Sequence, residues 1–176
     1  MTLDTSWSRL IDTPLGLVAR AIHNADPQRK YHNWLHIQRL YWHAKHTFGY
    51  AYDVNLDLAI MFHDVVYDCM PHKEQRSADM FFEIFGAMRG LIGGSEDVNH
   101  NTVIAMILDT VEHKNDRDDE RMICLDLADL TDPVQTVINH GLIIEELMAL
   151  YGIAKSECAT NSAKFMTDFY AITHHN

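Results

Sequence analysis

His63 and Asp64 stand side by side at the end of an apolar run, Leu58-Ala59-Ile60-Met61-Phe62. Burying an imidazole beside a carboxylate costs several kcal/mol unless something compensates. A divalent cation compensates well, because imidazole nitrogen and carboxylate oxygen are both good ligands. More residues of the same types recur at helical spacing. Asp68 follows Asp64 by four residues, and His36 follows His32 by four, which is about one helical turn in each case. Further on, Asp126 and Asp129 lie in an apolar stretch with Ile123, Leu125, Leu127 and Leu130. The chemistry open to such a set is metal-assisted hydrolysis. Of the two carboxylates at 64 and 68, one could ligate a cation while the other orients a water that the cation activates. Asp68 would accept or orient the water's proton. Glu74, His113 and His32 are candidates for the outer positions around such a centre or for the leaving group. Arg29, Lys73, Arg76 and Lys114 are the cations that could pair with substrate phosphates.

The elements that must position these residues read as helices. Apolar residues recur at spacings of three and four throughout, and about eight helices are expected. They fall near 4–24, broken at Pro14, then 33–48, 55 to just before Pro71, 74–91, 95–113, 121–130, 133–151 and 156–170. Asn55 is the expected cap of the third, and Asp64 and Asp68 would share one face of its continuation. Glu96 and Asp97 would suit the first turn of the fifth. The last two helices carry Leu142, Ile143, Leu147, Leu150, Phe165 and Phe169, which serve a core or a dimer face. The expected fold is therefore all-α: one compact helical bundle over residues 1–176, with 171–176 a flexible tail.

Several ordered blocks resemble the HD superfamily of metal-dependent phosphohydrolases. Arg29-Lys30-Tyr31-His32-Asn33-Trp34-Leu35-His36-Ile37 is similar to the opening Arg-x-Tyr-His-x-x-x-His-Ile of a small single-domain HD hydrolase family. Phe62-His63-Asp64-Val65-Val66-Tyr67-Asp68 is similar to its Phe-His-Asp-x-x-Tyr-Asp block. Glu74 with Ser77 and Ala78, Thr110 with His113, and Asp126-Leu127-Ala128-Asp129-Leu130 resemble three later blocks. The similarity spans residues 29–131. It implies an HD-domain helical bundle and a metal site of His36, His63, Asp64 and Asp126. A different register, used elsewhere in the superfamily, would put Asp129 in place of Asp126. The chain departs from the pattern at Lys73, where Asn is usual. It also has Ile144-Glu145-Glu146-Leu147 where an Arg-x-Glu-Tyr word is expected. Residues 63–68 resemble the His-Asp-x-x-Glu-Asp block of stringent-response alarmone hydrolases as well, with Tyr67 replacing the Glu.

The resemblance implies a divalent cofactor (Mg, Mn, Co, Zn or Fe) and a small phosphorylated substrate. A nucleotide is expected, cleaved as by a 5′-nucleotidase or by a deoxynucleoside triphosphate triphosphohydrolase. A catalytically silent nucleotide sensor and a di-iron oxygenase are the alternatives within the same fold.

Composition narrows the partners. A net charge of −11 repels a phosphate polymer, so no nucleic-acid partner is expected, whereas a cation can still bridge a small phosphate. Three well-separated cysteines without a CxxC pair fit a reduced, cytoplasmic setting. The first twenty residues hold no continuous apolar run, and no membrane partner is expected. A homo-oligomer is compatible with the apolar last helices. Twelve histidines are many for this length. His43, His46, His72, His100 and His140 belong to no motif and are expected on the surface or in the core, and His174 and His175 in the tail.

Overall fold

The computed structural model describes residues 3–93, 95–111, 119–131, 133–157, 160 and 164. Among them are seven α-helices, three 3-10 turns and no strand. The helices are α1 (Pro14–His23), α2 (Trp34–His46), α3 (Val54–Phe62), α4 (Lys73–Met88), α5 (His100–Asp109), α6 (Arg121–Asp126) and α7 (Pro133–Tyr151). The eighth expected helix, 156–170, lies mostly outside the described residues. No helix among them is long and apolar enough to cross a membrane.

The bundle is built around α3. Every residue from Leu56 to Phe62 is buried, and α1, α2, α4, α5 and α6 all pack against this helix. A helix that is apolar all round belongs in a core, and here it carries the His-Asp pair at its end. Asp53, not Asn55, caps its start by accepting the N–H groups of Asn55 and Leu56. α2 starts where Asn33 accepts the Leu35 N–H, and it buries Trp34, His36, Ile37, Leu40, Tyr41 and Ala44. α1 starts at Pro14 and not near residue 4, because Thr13 is the cap and proline suits the first helical position. α5 begins five residues later than the charge pattern predicts. Asn99 supplies its cap, accepting from the Asn101 and Thr102 N–H groups, while Ser95–Asp97 form a separate 3-10 turn.

One difference matters for the site. α3 was expected to run on through Asp68, but it stops at Phe62, and 63–71 is a chain of turns and bends. Arg29 explains the stop. Its guanidinium donates to the Asp64 and Val65 carbonyls at 3.1 Å and to the Tyr67 carbonyl at 3.4 Å. A continuing helix would need those carbonyls for its own N–H groups. Ser77 of α4 in turn accepts the Val66 N–H at 3.0 Å. His72, at φ 59°, then swings the chain into α4 in a left-handed conformation that non-glycine residues seldom adopt.

Candidate metal centre

Three helix-bound segments deliver four side chains to one point. His36 comes from the first turn of α2. His63 is the C-cap residue of α3 and Asp64 follows it. Asp126 is the last residue of α6. One ligand atom from each lies within 4.8 Å of all the others. The His36 and His63 Nε2 atoms are 3.3 Å apart. Asp126 Oδ1 is 3.4 Å from His36 Nε2 and 3.5 Å from His63 Nε2. Asp64 Oδ2 is 3.1 Å from His63 Nε2 and 4.0 Å from His36 Nε2.

The donor chemistry fits a divalent cation. The two carboxylates would balance its charge, and both imidazoles turn Nε2 inward. His63 donates Nδ1–H to the Ile60 carbonyl at 3.0 Å, which turns its Nε2 toward the cluster. The histidines and Asp64 are almost wholly buried, so without a cation they must settle the charge among themselves. Burial pulls the His63 pKa down, but Asp64 and Asp126 outweigh it and hold the group at about 10. Burial likewise pushes Asp64 up, and His63 and His32 pull it well below the usual carboxylate range. His36 goes the other way: its burial dominates and lowers its pKa. Two carboxylates facing one charged imidazole leave a buried site short of positive charge.

A cleft of about 150 Å³ opens beside this group. Asp64 and Asp126 line it together with Tyr31, His32, Lys73, Glu74, Thr110 and the apolar Leu127, Leu130 and Ile143. Lys73 pairs with Glu74 at 3.2 Å and lies over the Tyr67 ring, 4.2 Å from its centroid. Burial works against its charge, but Asp64 and Glu74 outweigh this and raise its pKa. Lys73 is thus a cation held at the mouth of a metal-sized cluster.

The remaining sequence-derived candidates divide. Asp129 is drawn into a different network. Arg39 Nε donates to it at 2.6 Å, Tyr31 Oη at 3.2 Å, and His43 Nε2 lies 3.0 Å away. Those donors hold its pKa far below normal against the effect of burial. Asp126 is the aspartate beside the histidines. Two basic residues expected at substrate phosphates are otherwise engaged. Arg29 is the buried clamp on the 64–67 carbonyls, because a guanidinium with five donors suits a cluster of backbone acceptors. Arg76 is bidentate to Asp68, with Nη1 2.9 Å from Oδ2. The same pair removes Asp68 from the role expected of it. With α3 ended at Phe62, Asp68 no longer shares a face with Asp64, and its carboxylate, held by Arg76 at a pKa of about 2, is absent from the cleft lining. Glu74 does line the cleft. His113 and Lys114 lie outside the described residues.

Glu146 is the site residue that sequence reasoning missed. It is 0% exposed, and it accepts the Tyr31 N–H at 2.9 Å, the His32 N–H at 3.0 Å and the His32 Nδ1–H. The signal was available. On a helix, Glu146 falls on the same stripe as Asn139, Ile143 and Leu150, which makes it a carboxylate facing inward.

Comparisons with protein-family models, with curated proteins and with solved structures return no match to this chain.

Proposed function

We propose that this chain is an HD-type metal-dependent phosphohydrolase acting on a small phosphoester, with a nucleotide as the first substrate to test. The observation that carries this reading is the convergence of His36, His63, Asp64 and Asp126 beside a cleft to which Asp64, Asp126 and Lys73 are presented. The ordered sequence blocks that resemble the HD superfamily support the same reading, since they contain His36, His63, Asp64 and Asp126. A divalent cation bound there would acidify a bound water and polarise a phosphoryl oxygen. The chain's own residues would do the rest. Lys73 pairs with a substrate phosphate, and Glu74, its partner at 3.2 Å, sets where the ammonium rests. His32 faces the same space from the far side of Asp64, with Nε2 4.0 Å from Oδ2. Tyr31, Leu127, Leu130 and Ile143 give the cleft a largely apolar lining that would exclude bulk water from the reacting group.

A second reading has one observation in its favour. Asp68, the residue expected to handle the water's proton, is tied to Arg76, so a metal-holding nucleotide sensor without turnover also fits. The deciding experiment is a panel of nucleoside mono- and triphosphates assayed with Mg²⁺, Mn²⁺, Co²⁺ and Zn²⁺, with the released group identified. Orthophosphate from a monophosphate supports the 5′-nucleotidase form, and tripolyphosphate the triphosphohydrolase form. Metal retained, no turnover, and a melting temperature raised by nucleotide would establish the sensor. Two irons per chain with oxygen consumption would establish the oxygenase.

A further inference from the structure

His32 lines the cleft and is not used by the metal centre. His32 stacks on Tyr67, with ring centroids 3.9 Å apart and 18° between planes, and meets Tyr31 edge-on at 4.7 Å. Two aromatic rings therefore fix its plane. Its Nδ1 is bound to Glu146, and a carboxylate can only accept, so Nδ1 carries the proton. The other nitrogen, Nε2, is left to the cleft, 4.0 Å from Asp64 Oδ2 and too far for a hydrogen bond between them. His32 is not one of the four clustered ligands. Glu146 itself comes from α7, more than a hundred residues away in sequence, and its other oxygen secures the backbone of Tyr31 and His32. Burying an ionised carboxylate costs several kcal/mol, and here the Tyr31 N–H, the His32 N–H and the His32 Nδ1–H that it accepts all belong to the turn that carries one imidazole. That expense at a cleft wall is the mark of a positioned functional group.

We propose that Glu146 is a positioning residue for His32, and that His32 Nε2 accepts a hydrogen bond from the hydroxyl of a protonated phosphoryl group bound in the cleft. The inference rests on the phosphohydrolase reading above and adds a specific contact to it. The anion would meet Lys73 and His32 together with the metal centre, three contacts on a tetrahedral group. α7 thereby becomes part of the site through one buried carboxylate.

The test uses the full chain loaded with Mn²⁺ and inorganic phosphate as the probe, with binding measured by calorimetry and metal content by elemental analysis. His32→Gln is the informative variant, because it leaves the Glu146 contacts to the backbone in place. It is expected to keep its metal and weaken phosphate about tenfold, the size of one hydrogen bond to a charged group. Glu146→Gln is expected to weaken phosphate to a similar extent. The double variant should lose little more than either single one, because the two residues act as a unit. In substrate assays the loss should appear in kcat/KM at temperatures well below melting. A purely structural role for the pair would lower the melting temperature and leave phosphate affinity unchanged. Metal retained with unchanged phosphate affinity in His32→Gln overturns this inference alone. A metal-loaded parent that binds no phosphate also overturns it. A parent that binds no metal overturns the metal-centre reading and this inference with it.

Discussion

Helix α3 carries one buried carboxylate in its first turn and is followed by another, and the two are treated in opposite ways. Near its start, Asp57 is 0% exposed and surrounded by donors: Ser8 Oγ at 2.7 Å, Tyr41 Oη at 2.8 Å and the Arg9 N–H at 3.0 Å. All three partners are neutral. Burial consequently wins, and the Asp57 pKa is raised despite them. Just past the other end, Asp64 faces two imidazole nitrogens and a second carboxylate. Among the described residues no neutral donor set surrounds it, and His63 and His32 pull its pKa down against burial. The first arrangement closes a segment onto the core. The second is a set of side chains that could hold a metal ion, converging on a point. Burial and residue type are alike at the two ends, so what separates a structural carboxylate from a ligating one is whether its neighbours are donors or further acceptors.

The strongest way to break this comparison is Asp64→Ala. If Asp64 is a ligand, the variant should lose bound metal and lower kcat/KM by several kcal/mol, about a thousandfold or more. Its circular dichroism should remain helical, with melting close to that of the metal-free parent. Retained metal with full activity would end the metal-centre reading. The mirror experiment is Asp57→Ala. It should leave metal content alone and destabilise the fold by about 3 kcal/mol, because the Ser8 hydroxyl and the Arg9 N–H lose a buried acceptor. Denaturant midpoints check it. A variant at Asp57 that changed metal content, or one at Asp64 that melted like Asp57→Ala, would erase the distinction.

The same contrast explains which parts of the molecule were legible in the sequence. Helix periodicity and the residue types at 36, 63, 64 and 126 are local facts, and all four side chains meet. α7 also follows its pattern, from Pro133 to Tyr151. What was not legible depends on long-range partners. The end of α3 at Phe62 is set by Arg29, thirty-five residues upstream of Asp64, and nothing in the apolar run 58–62 announces it. Asp68 lost its expected role by the same route, since turning the 63–71 segment out of helix handed its carboxylate to Arg76. Spacing of four residues means one face only while the helix continues. The sequence blocks favoured Asp126 and left Asp129 open through a second register. Arg39 and His43, reaching across from α2, separate them.

Two smaller effects sharpen the comparison. His23 is a buried polar group beside α3 with neither solution: its Nε2 donates to the Met61 carbonyl at 3.0 Å and its Nδ1 has no partner. Burial lowers its pKa to about 3. The unfolded chain binds a proton on this residue below about pH 6.5 and the folded chain does not, so folding stability falls as pH drops from 6.5 toward 3. Between pH 6.5 and 5, the metal-free parent should lose about 2 kcal/mol more than His23→Leu, measured by urea unfolding at each pH. An equal loss in both would mean that the ring is protonated in place.

The smallest effect is expected at Arg76, and it bears on how the cleft is bounded. Its guanidinium and the Asp68 carboxylate are 35% and 43% exposed, so solvent screens most of what their bidentate geometry offers. Arg76→Ala should therefore cost no more than about 0.5 kcal/mol in stability. It should also leave kcat/KM nearly unchanged, because the group is spent on Asp68 and does not line the cleft. Lys73→Ala, one turn earlier on α4, should by contrast raise KM, since Lys73 does line it. A large loss of activity in Arg76→Ala would mean that Asp68 is released toward the metal centre during turnover and that Arg76 holds it in reserve. The two lysine and arginine variants together thus mark where the functional wall of the cleft ends and the ordinary charged surface begins.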